Sequence, residues 1–349
     1  MTQNWRLRHA ATIGCVVLAL ISPERSVGAP NAEITAERVI SQFVVPRYQA
    51  LRSAAAAQDA QWRDVCANPS REGIAALRRA YLAAADAWSA IEFLAYGPAA
   101  SDFRLERLSF WPDRQNATSK GLAALLKGPG EEGLQPKDVA GSSAAAQGLP
   151  ALERLLYDVE PETYLADTDQ ARRQCAVGKA IAANVATIAN DIVSEWGRAA
   201  GQAAAPGRAT EFLTRVVTDL LANLERVGDL KIKRVVGSSA DSVRPQAAEG
   251  WRSGRSLRAV AINLETAETV VRLLLAGTSQ WSGPVGAIEK ARSLAKRIDG
   301  NIWAKAAEPK TRLDVLKLLD AVAAARKQSM DEVPAALGIA VGFNSSDGD

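Results

Sequence analysis

Apolar residues recur at helical spacing along almost the whole chain. In residues 147–158, a rotation of about 100° per residue places the leucines on one stripe, with Arg154 and Asp158 on the opposite side. Segments with this pattern cover residues 33–66, 70–95, 138–158, 168–200, 208–227, 251–276, 284–298 and 309–329. Pro46 should kink or divide the first of them. Since no segment shows the convincing alternation typical of strands, the pattern predicts an all-α protein.

The helical segments fall into two halves of similar size. Residues 201–208 are mostly small and include glycine and proline, which is typical of a linker. We therefore expect two helical bundles, at residues 33–200 and 208–341, packed with a polar cleft between them. Residues 110–126 and 250–267 both run from a tryptophan through an arginine into an apolar helix, which is consistent with a duplication or with chance.

Two carboxylates lie on the apolar faces of predicted helices. Glu153 falls inside the leucine stripe. Glu92 falls near Tyr81 and Trp88 on the apolar stripe of an earlier helix. Because an unpaired carboxylate is costly in an apolar interior, each requires a cation, a hydrogen-bond donor or a proton. The two carboxylates either line a polar pocket between the bundles or are neutralised in structural ion-pair networks.

The first 28 residues have the organisation of a secretory signal peptide. A basic start with Arg6 and Arg8 precedes an apolar core at residues 10–21 and a small-residue exit that ends near Gly28. We expect cleavage there and a periplasmic protein. An uncleaved inner-membrane anchor is the alternative, although the apolar core is short for a span. Cys15 lies inside that core rather than at its end, so we do not expect a lipoprotein.

Removal of the signal segment removes the only histidine, His9. A mature chain without histidine cannot use a Ser-His-Asp triad, a Cys-His pair or a His-ligated zinc ion. The two remaining cysteines, Cys66 and Cys175, are expected to form a disulfide in an oxidising compartment rather than to stay free. The disulfide would join the first helical hairpin to a later helix.

The balance of basic and acidic residues argues against nucleic-acid binding. The signal segment contains three of the 42 basic residues and one of the 39 acidic residues, which leaves 39 basic against 38 acidic side chains. Neither this balance nor any local run of lysine and arginine interleaved with aromatic residues provides a surface for phosphates. We therefore expect no nucleic-acid partner.

Five blocks of the sequence, in this order, resemble the imelysin-like family. They are VVPRYQAL (44–51), FWPDR (110–114), QGLPALERLLYD (147–158), EGWRSGRSL (249–257) and ALGIAVGFNSSDGD (336–349). The resemblance spans nearly all of the mature chain. It implies an exported, all-helical protein of two bundle-like halves that is associated in bacteria with iron uptake or iron-regulated expression. It also implies a metallopeptidase assignment that rests on a G-x-H-x-x-E motif.

That motif is only partly present in this chain. Gly148 and Glu153 match it, but Pro150 stands at the histidine position and has no ligand atom. In the full motif, histidine and glutamate three residues apart on one helix could reach one metal ion. Pro150 instead fits the first turn of a helix. A metal at Glu153 would need Asp, Glu or Tyr oxygens, which suit a hard cation such as calcium, magnesium, manganese or ferric iron.

The other blocks supply the remaining candidate ligand-binding residues. Trp111 and Arg114 belong to FWPDR. Trp251, Ser253 and Arg255 surround a glycine at a predicted helix start, where backbone N–H groups and an arginine can hold an anion or a carboxylate. We predict that Arg114 and Arg255 lie near the two buried carboxylates. Burial of Trp111 in the core is an equally good interpretation of its block.

Three classes of function remain. The leading prediction is a non-catalytic periplasmic binding or accessory protein in iron or other metal acquisition, with a polar site around Glu153. Its expected partners are a metal ion or small ligand and a periplasmic or membrane component of uptake. The second class is a metal-dependent peptidase of the imelysin type, in which Glu153 and a cation activate water. The third is a structural adaptor whose buried charges specify packing.

Overall fold

The computed structural model describes Met1 and residues 29–127, 134–278, 281–298 and 302–341. The predicted signal segment beyond Met1 and the end of the last family-like block lie outside the described residues. No described residue is in a β-strand, which confirms the all-α class. The α-helices are α1 (Ala32–Val39), α2 (Val45–Ala67), α3 (Arg71–Ser89), α4 (Arg104–Leu108), α5 (Ala117–Leu126), α6 (Pro136–Ala140), α7 (Leu149–Tyr157), α8 (Pro161–Leu165), α9 (Asp169–Ala203), α10 (Ala209–Arg226), α11 (Arg234–Val236), α12 (Ser256–Leu274), α13 (Ser282–Arg297) and α14 (Pro309–Leu337).

Long helices form the centre of each half. In the first half, α2 packs against α3 and α9, and Tyr48, Trp62 and Trp196 are fully buried there. In the second half, α13 packs against α12 and α14, and α14 also contacts α10. Helix α1 begins the first half in sequence but packs against α10 and α12 of the second. One continuous hydrophobic core therefore joins the two halves. None of the described helices is both long and apolar enough to cross a bilayer.

Two π-helical segments interrupt the helices. Ile40–Val44 joins α1 to α2 directly before Pro46, which lies in the first turn of α2. Because proline has no N–H to donate, the regular hydrogen-bond ladder cannot continue through it, and the division predicted at Pro46 is present. Val227–Lys233 joins α10 to α11 in a similar way. This second segment carries Lys231, whose side chain is buried in the interior.

Helix α3 ends at Ser89, so the prediction of a helix up to residue 95 is wrong. Side chains from the second half bind the backbone that follows. Asn263 Nδ2 donates to the Ser89 carbonyl at 2.8 Å, and Thr266 Oγ1 donates to the Ala90 carbonyl at 3.1 Å. Since these tertiary bonds satisfy carbonyl groups that a longer helix would use, the helix can end here. Glu92 is buried as predicted, but in this turn rather than on a helix face.

The segment predicted as one helix at residues 138–158 is divided into α6 and α7. Helix α7 begins at Leu149 with Pro150 in its first turn, as predicted from the proline. A Cβ atom at Gly148 would lie 2.3 Å from the carbonyl oxygen of Leu108, so a side chain at this position would collide with the backbone of α4. Glycine therefore allows α7 to start in close contact with α4.

A disulfide joins Cys66 in α2 to Cys175 in α9, as predicted. The two Cα atoms are 5.6 Å apart, and the cysteines are separated by 109 residues in sequence. The bond thus fixes one end of the α2–α9 packing. It encloses α3 to α8, the segment that carries Glu92 and Glu153.

Replacing both cysteines with alanine should lower the free energy of unfolding by about 2–4 kcal/mol, because a closed loop of this length restricts the unfolded chain. Urea unfolding followed by circular dichroism would measure the change. The wild type in reductant is the matched control and should unfold at the same midpoint as the variant. Equal midpoints for the oxidised wild type and the variant would contradict the prediction.

Candidate functional site

A cleft of about 260 Å³ opens between the first and second halves. Its walls are the segment before α5 and the first turns of α7 on one side, and α11 and the segment before α12 on the other. The lining side chains include Trp111, Asp113, Pro150, Glu153 and Arg154 from the first half, and Arg234, Trp251 and Arg252 from the second. Three of the predicted site residues, Trp111, Glu153 and Trp251, thus share one cleft.

Glu153 lies at the base of this cleft and is only 5% exposed. Its Oε1 atom accepts two hydrogen bonds from Ser253, one from the backbone N–H at 3.0 Å and one from Oγ at 2.5 Å. Its Oε2 atom has no hydrogen-bond partner among the described residues and keeps some accessible surface, although the residue as a whole is nearly buried. A nearly buried carboxylate therefore lies at the base of the cleft. One of its oxygens is hydrogen-bonded to Ser253, and the other is available to a ligand.

Ser253 is held in position by a tight glycine turn. Gly250 and Gly254 have φ values of 61° and 71°, in the left-handed region that favours glycine. This turn is the reason that α12 begins at Ser256 rather than at the predicted residue 251. The predicted anion site at a helix start is therefore used within the protein, because the Ser253 N–H and hydroxyl bind the carboxylate of Glu153.

The charge on Glu153 is costly in this position. Burial raises the pKa of Glu153, and the Ser253 hydrogen bonds and the positive charges of Arg252 and Arg255 only partly oppose that effect. The balance leaves the pKa above its ordinary value. A positively charged or hydrogen-bond-donating ligand at Oε2 would stabilise the ionised carboxylate.

Lys231 compensates the other buried carboxylate. Its Nζ atom lies 2.6 Å from Glu92 Oε1, 2.7 Å from Glu249 Oε2 and 2.7 Å from Asn263 Oδ1, and it lies 5.8 Å from the centroid of the Trp111 ring. Burial alone would raise the pKa of Glu92, but its interaction with the Lys231 ammonium group brings the pKa below its ordinary value. Glu92 thus belongs to an ion-pair network, which was the alternative left open by the sequence.

Lys231 itself was not predicted from the sequence. It stands near a helix end in a segment that alternates lysines with apolar residues, and such a segment normally has solvated lysines. The sequence pointed to Lys231 only indirectly, because the buried carboxylate of Glu92 requires a compensating group such as a cation. Only the packing of the second half against the first identifies which cation that is.

Arg255 lies beside an inner recess of about 40 Å³ that adjoins the cleft and shares Glu153 and Trp111 with it. Its Nη2 atom lies 3.1 Å from Asp86 Oδ1 and 3.0 Å from Ser89 Oγ. Arg255 is therefore buried close to Glu153, but it pairs directly with neither Glu153 nor Glu92. Its direct partner is an aspartate from α3.

Charges at the rim of the cleft form an alternating chain. Arg154 lies 2.9 Å from Asp113 and 3.7 Å from Asp158, and Arg252 Nε lies 2.7 Å from Asp158. The Arg252 guanidinium also lies over the Trp251 ring, 4.4 Å from its centroid. Arg154 was expected on the face opposite Glu153, yet it lines the same cleft because the loop before α5 folds over the start of α7.

Five predicted ligand-binding residues are not among the cleft-lining residues: Glu92, Ser253 and Arg255, whose partners are given above, and Arg114 and Gly148. Arg114 is exposed, and its neighbour Asp113 contributes to the cleft instead. Gly148 contacts the backbone of Leu108, so its clear role is close packing. The family-like blocks thus identify the correct region, but adjacent positions within a block face different surroundings.

The residues around Glu153 do not fit a bare metal ion. Among the described residues, no group of three or more Asp, Glu, Cys or His side chains could hold one. Pro150 offers no ligand atom, and the nearby carboxylates of Asp113 and Glu249 are paired with Arg154 and Lys231. Hard cations require about six oxygen ligands, whereas Glu153 offers one unbonded oxygen.

Replacing Lys231 with methionine should lower the free energy of unfolding at pH 7 by about 3–5 kcal/mol, because Glu92 and Glu249 would become buried carboxylates without a cation. Since the pKa of Glu92 is lowered in the folded state, its stabilising effect is present above its unfolded pKa of about 4.3 and disappears as the pH falls through the folded value. The difference between wild type and variant should therefore be smaller at acid pH than at pH 7, because the carboxylates that lack a cation in the variant become protonated.

Urea unfolding from pH 7 to pH 3 would measure this difference. Lys233→Met is a matched control, because the Lys233 side chain is 68% exposed. The control should remain within about 0.5 kcal/mol of wild type. A Lys231→Met variant as stable as the control at pH 7 would contradict the role given to the buried ammonium group.

Comparison with known proteins identifies the family. The family model described as Imelysin, Peptidase M75, matches residues 44–333. The iron-regulated protein A of Synechococcus elongatus is 27% identical over 201 residues, which is 56% of this chain and 50% of that protein. This chain thus matches about half the length of that relative.

Two crystal structures have the same fold. An imelysin-like protein from Psychrobacter arcticum 273-4 superposes with a TM-score of 0.75 at 20% identity, over 91% of this chain and 100% of that one. A protein described as an iron-regulated protein A precursor, from Parabacteroides distasonis, gives a TM-score of 0.64 at 14% identity, over 88% and 97% of the two chains. With a family match over most of its length and this fold, the chain belongs to the imelysin family.

Proposed function

We propose that this protein is a non-catalytic binding protein that serves iron or other metal acquisition in the periplasm, and that it holds a small ligand in the cleft around Glu153. One observation carries the proposal: a nearly buried carboxylate presents one unbonded oxygen to an open cleft. The structural glutamate Glu92 is compensated by an ion pair with Lys231, whereas Glu153 forms no ion pair among the described residues. The iron connection rests on family membership and on the name of the Synechococcus relative.

In this proposal, the protein serves metal acquisition through the small ligand that it binds. It does not bind a metal ion directly with its own side chains. The donor set at Glu153 is too small for a bare cation, as described above. A small organic molecule needs only one or two directed polar contacts, which this cleft supplies. An uptake component that exchanges the ligand or docks on the loaded protein would complete the function.

No specific observation favours the peptidase alternative. Activation of water by a metal requires a cation held by several protein ligands, and the histidine position of the family motif is Pro150. The structural adaptor is also less well supported. Its buried charges would all be paired, which holds for Lys231 and Arg255 but not for the Oε2 atom of Glu153.

Deleting the gene in the source organism should slow growth in iron-depleted medium, and the wild-type gene should restore growth. Glu153→Gln should fail to restore it, because the amide keeps the shape of the side chain but removes the charge at the base of the cleft. Glu106→Gln should restore growth, since Glu106 is an exposed glutamate of α4 outside the cleft. Growth rates under graded chelator concentrations are the measurement.

The purified mature chain should not hydrolyse casein when supplied with ferrous, ferric or zinc ions. Casein hydrolysis that Glu153→Gln abolishes would replace the proposal with the peptidase alternative. Normal growth of the deletion strain in iron-depleted medium would overturn the role in metal acquisition.

A further inference from the structure

The charges that line the cleft are not all paired. Asp113 and Arg154 pair with each other, and Arg252 pairs with Asp158. Two lining groups remain without a partner among the described residues: the Oε2 atom of Glu153 at the base and the guanidinium group of Arg234 in α11. One is negative and the other is positive, so the unpaired charges of the cleft sum to zero.

These two groups differ in their surroundings. Glu153 is almost inaccessible to bulk water, whereas Arg234 is exposed. A group that binds Glu153 must therefore enter the cleft, and a group that binds Arg234 can stay at its mouth. Because a buried charge gains most from a partner of opposite sign, the inner end of a ligand should carry a cation with N–H donors.

The remaining walls of the cleft are partly polar and partly aromatic or apolar. Phe110, Trp111, Pro112, Pro150 and Trp251 line the cleft. The volume of about 260 Å³ is below the range of roughly 300–1,000 Å³ that is usual for drug-sized ligands. The ligand should therefore be small, with a charged group at each end and a short body that contacts rings.

We propose that the cleft binds a small zwitterion of the α-amino acid or dipeptide class, with its ammonium group on Glu153 Oε2 and its carboxylate on Arg234. This inference rests on the proposed function, because it names the ligand class of the same cleft. A ligand with only a cation would leave Arg234 unused. A ligand with only an anion would bring like charge toward the base of the cleft, where Glu153 lies.

The chelator-treated mature chain should be titrated by calorimetry with an equimolar mixture of the twenty standard amino acids, with each amino acid alone, and with alanyl-alanine. At least one zwitterion should bind to a single site. Ethylamine and acetate carry only one charged group each, so both should bind at least tenfold more weakly than that zwitterion.

Glu153→Gln and Arg234→Gln should each weaken binding of the zwitterion tenfold or more, because each removes a charge-assisted contact. Lys233→Gln is the matched control and should bind like wild type, since Lys233 is an exposed neighbour of Arg234 that does not line the cleft. Thermal unfolding of every variant would verify that it is folded. Arg234 is exposed, so its variant keeps the test valid even if the Glu153 variant is unstable.

Two results would overturn the ligand class. One is the absence of binding by every zwitterion in the panel. The other is binding that neither variant weakens. If the deletion strain still grew slowly in iron-depleted medium, the proposed function would stand without this ligand. If zwitterions bound as expected but the deletion strain grew normally, the ligand class would stand and the role in metal acquisition would fail.

Discussion

Burial of charge between the two halves is the constraint on which this structure depends. Lys231 comes from the second half of the chain, and its ammonium group lies within 2.7 Å of both Glu92 and Glu249. None of these three groups could stay buried without the others, because an isolated charge in the interior loses its hydration without compensation. The pairing requires the turn after α3 to meet the π-helical segment that carries Lys231. It therefore fixes how the halves pack.

The same requirement gives the adjoining cleft its chemistry. Rim charges are matched by an alternating series of aspartate and arginine, and the buried Arg255 is matched by Asp86. Glu153 differs from these groups, since Ser253 satisfies only one of its oxygens. A buried charge that the protein compensates only in part has a physical cost, and a ligand that removes this cost gains affinity from it.

Pro150 links the family to the particular chemistry of this chain. The proline preserves the start of α7, and with it the position of Glu153, but it supplies no ligand atom. The fold and the placement of the glutamate therefore do not depend on the histidine of the family motif. The substitution of proline for histidine changes the kind of ligand that the site can bind. A single carboxylate oxygen suits a hydrogen-bond donor better than a bare cation.

The sequence by itself determined the helical class, the division at Pro46, the start of α7, the disulfide and the burial of Glu92 and Glu153. These features depend on local periodicity, on the chemistry of single residues or on the pairing of two cysteines. Only the tertiary structure decided where α3 ends, that Lys231 is the partner of Glu92, and that Arg154 rather than Arg114 lines the cleft. Each of these depends on groups far apart in the chain. Local periodicity carries no information about which distant side chain arrives at a given surface.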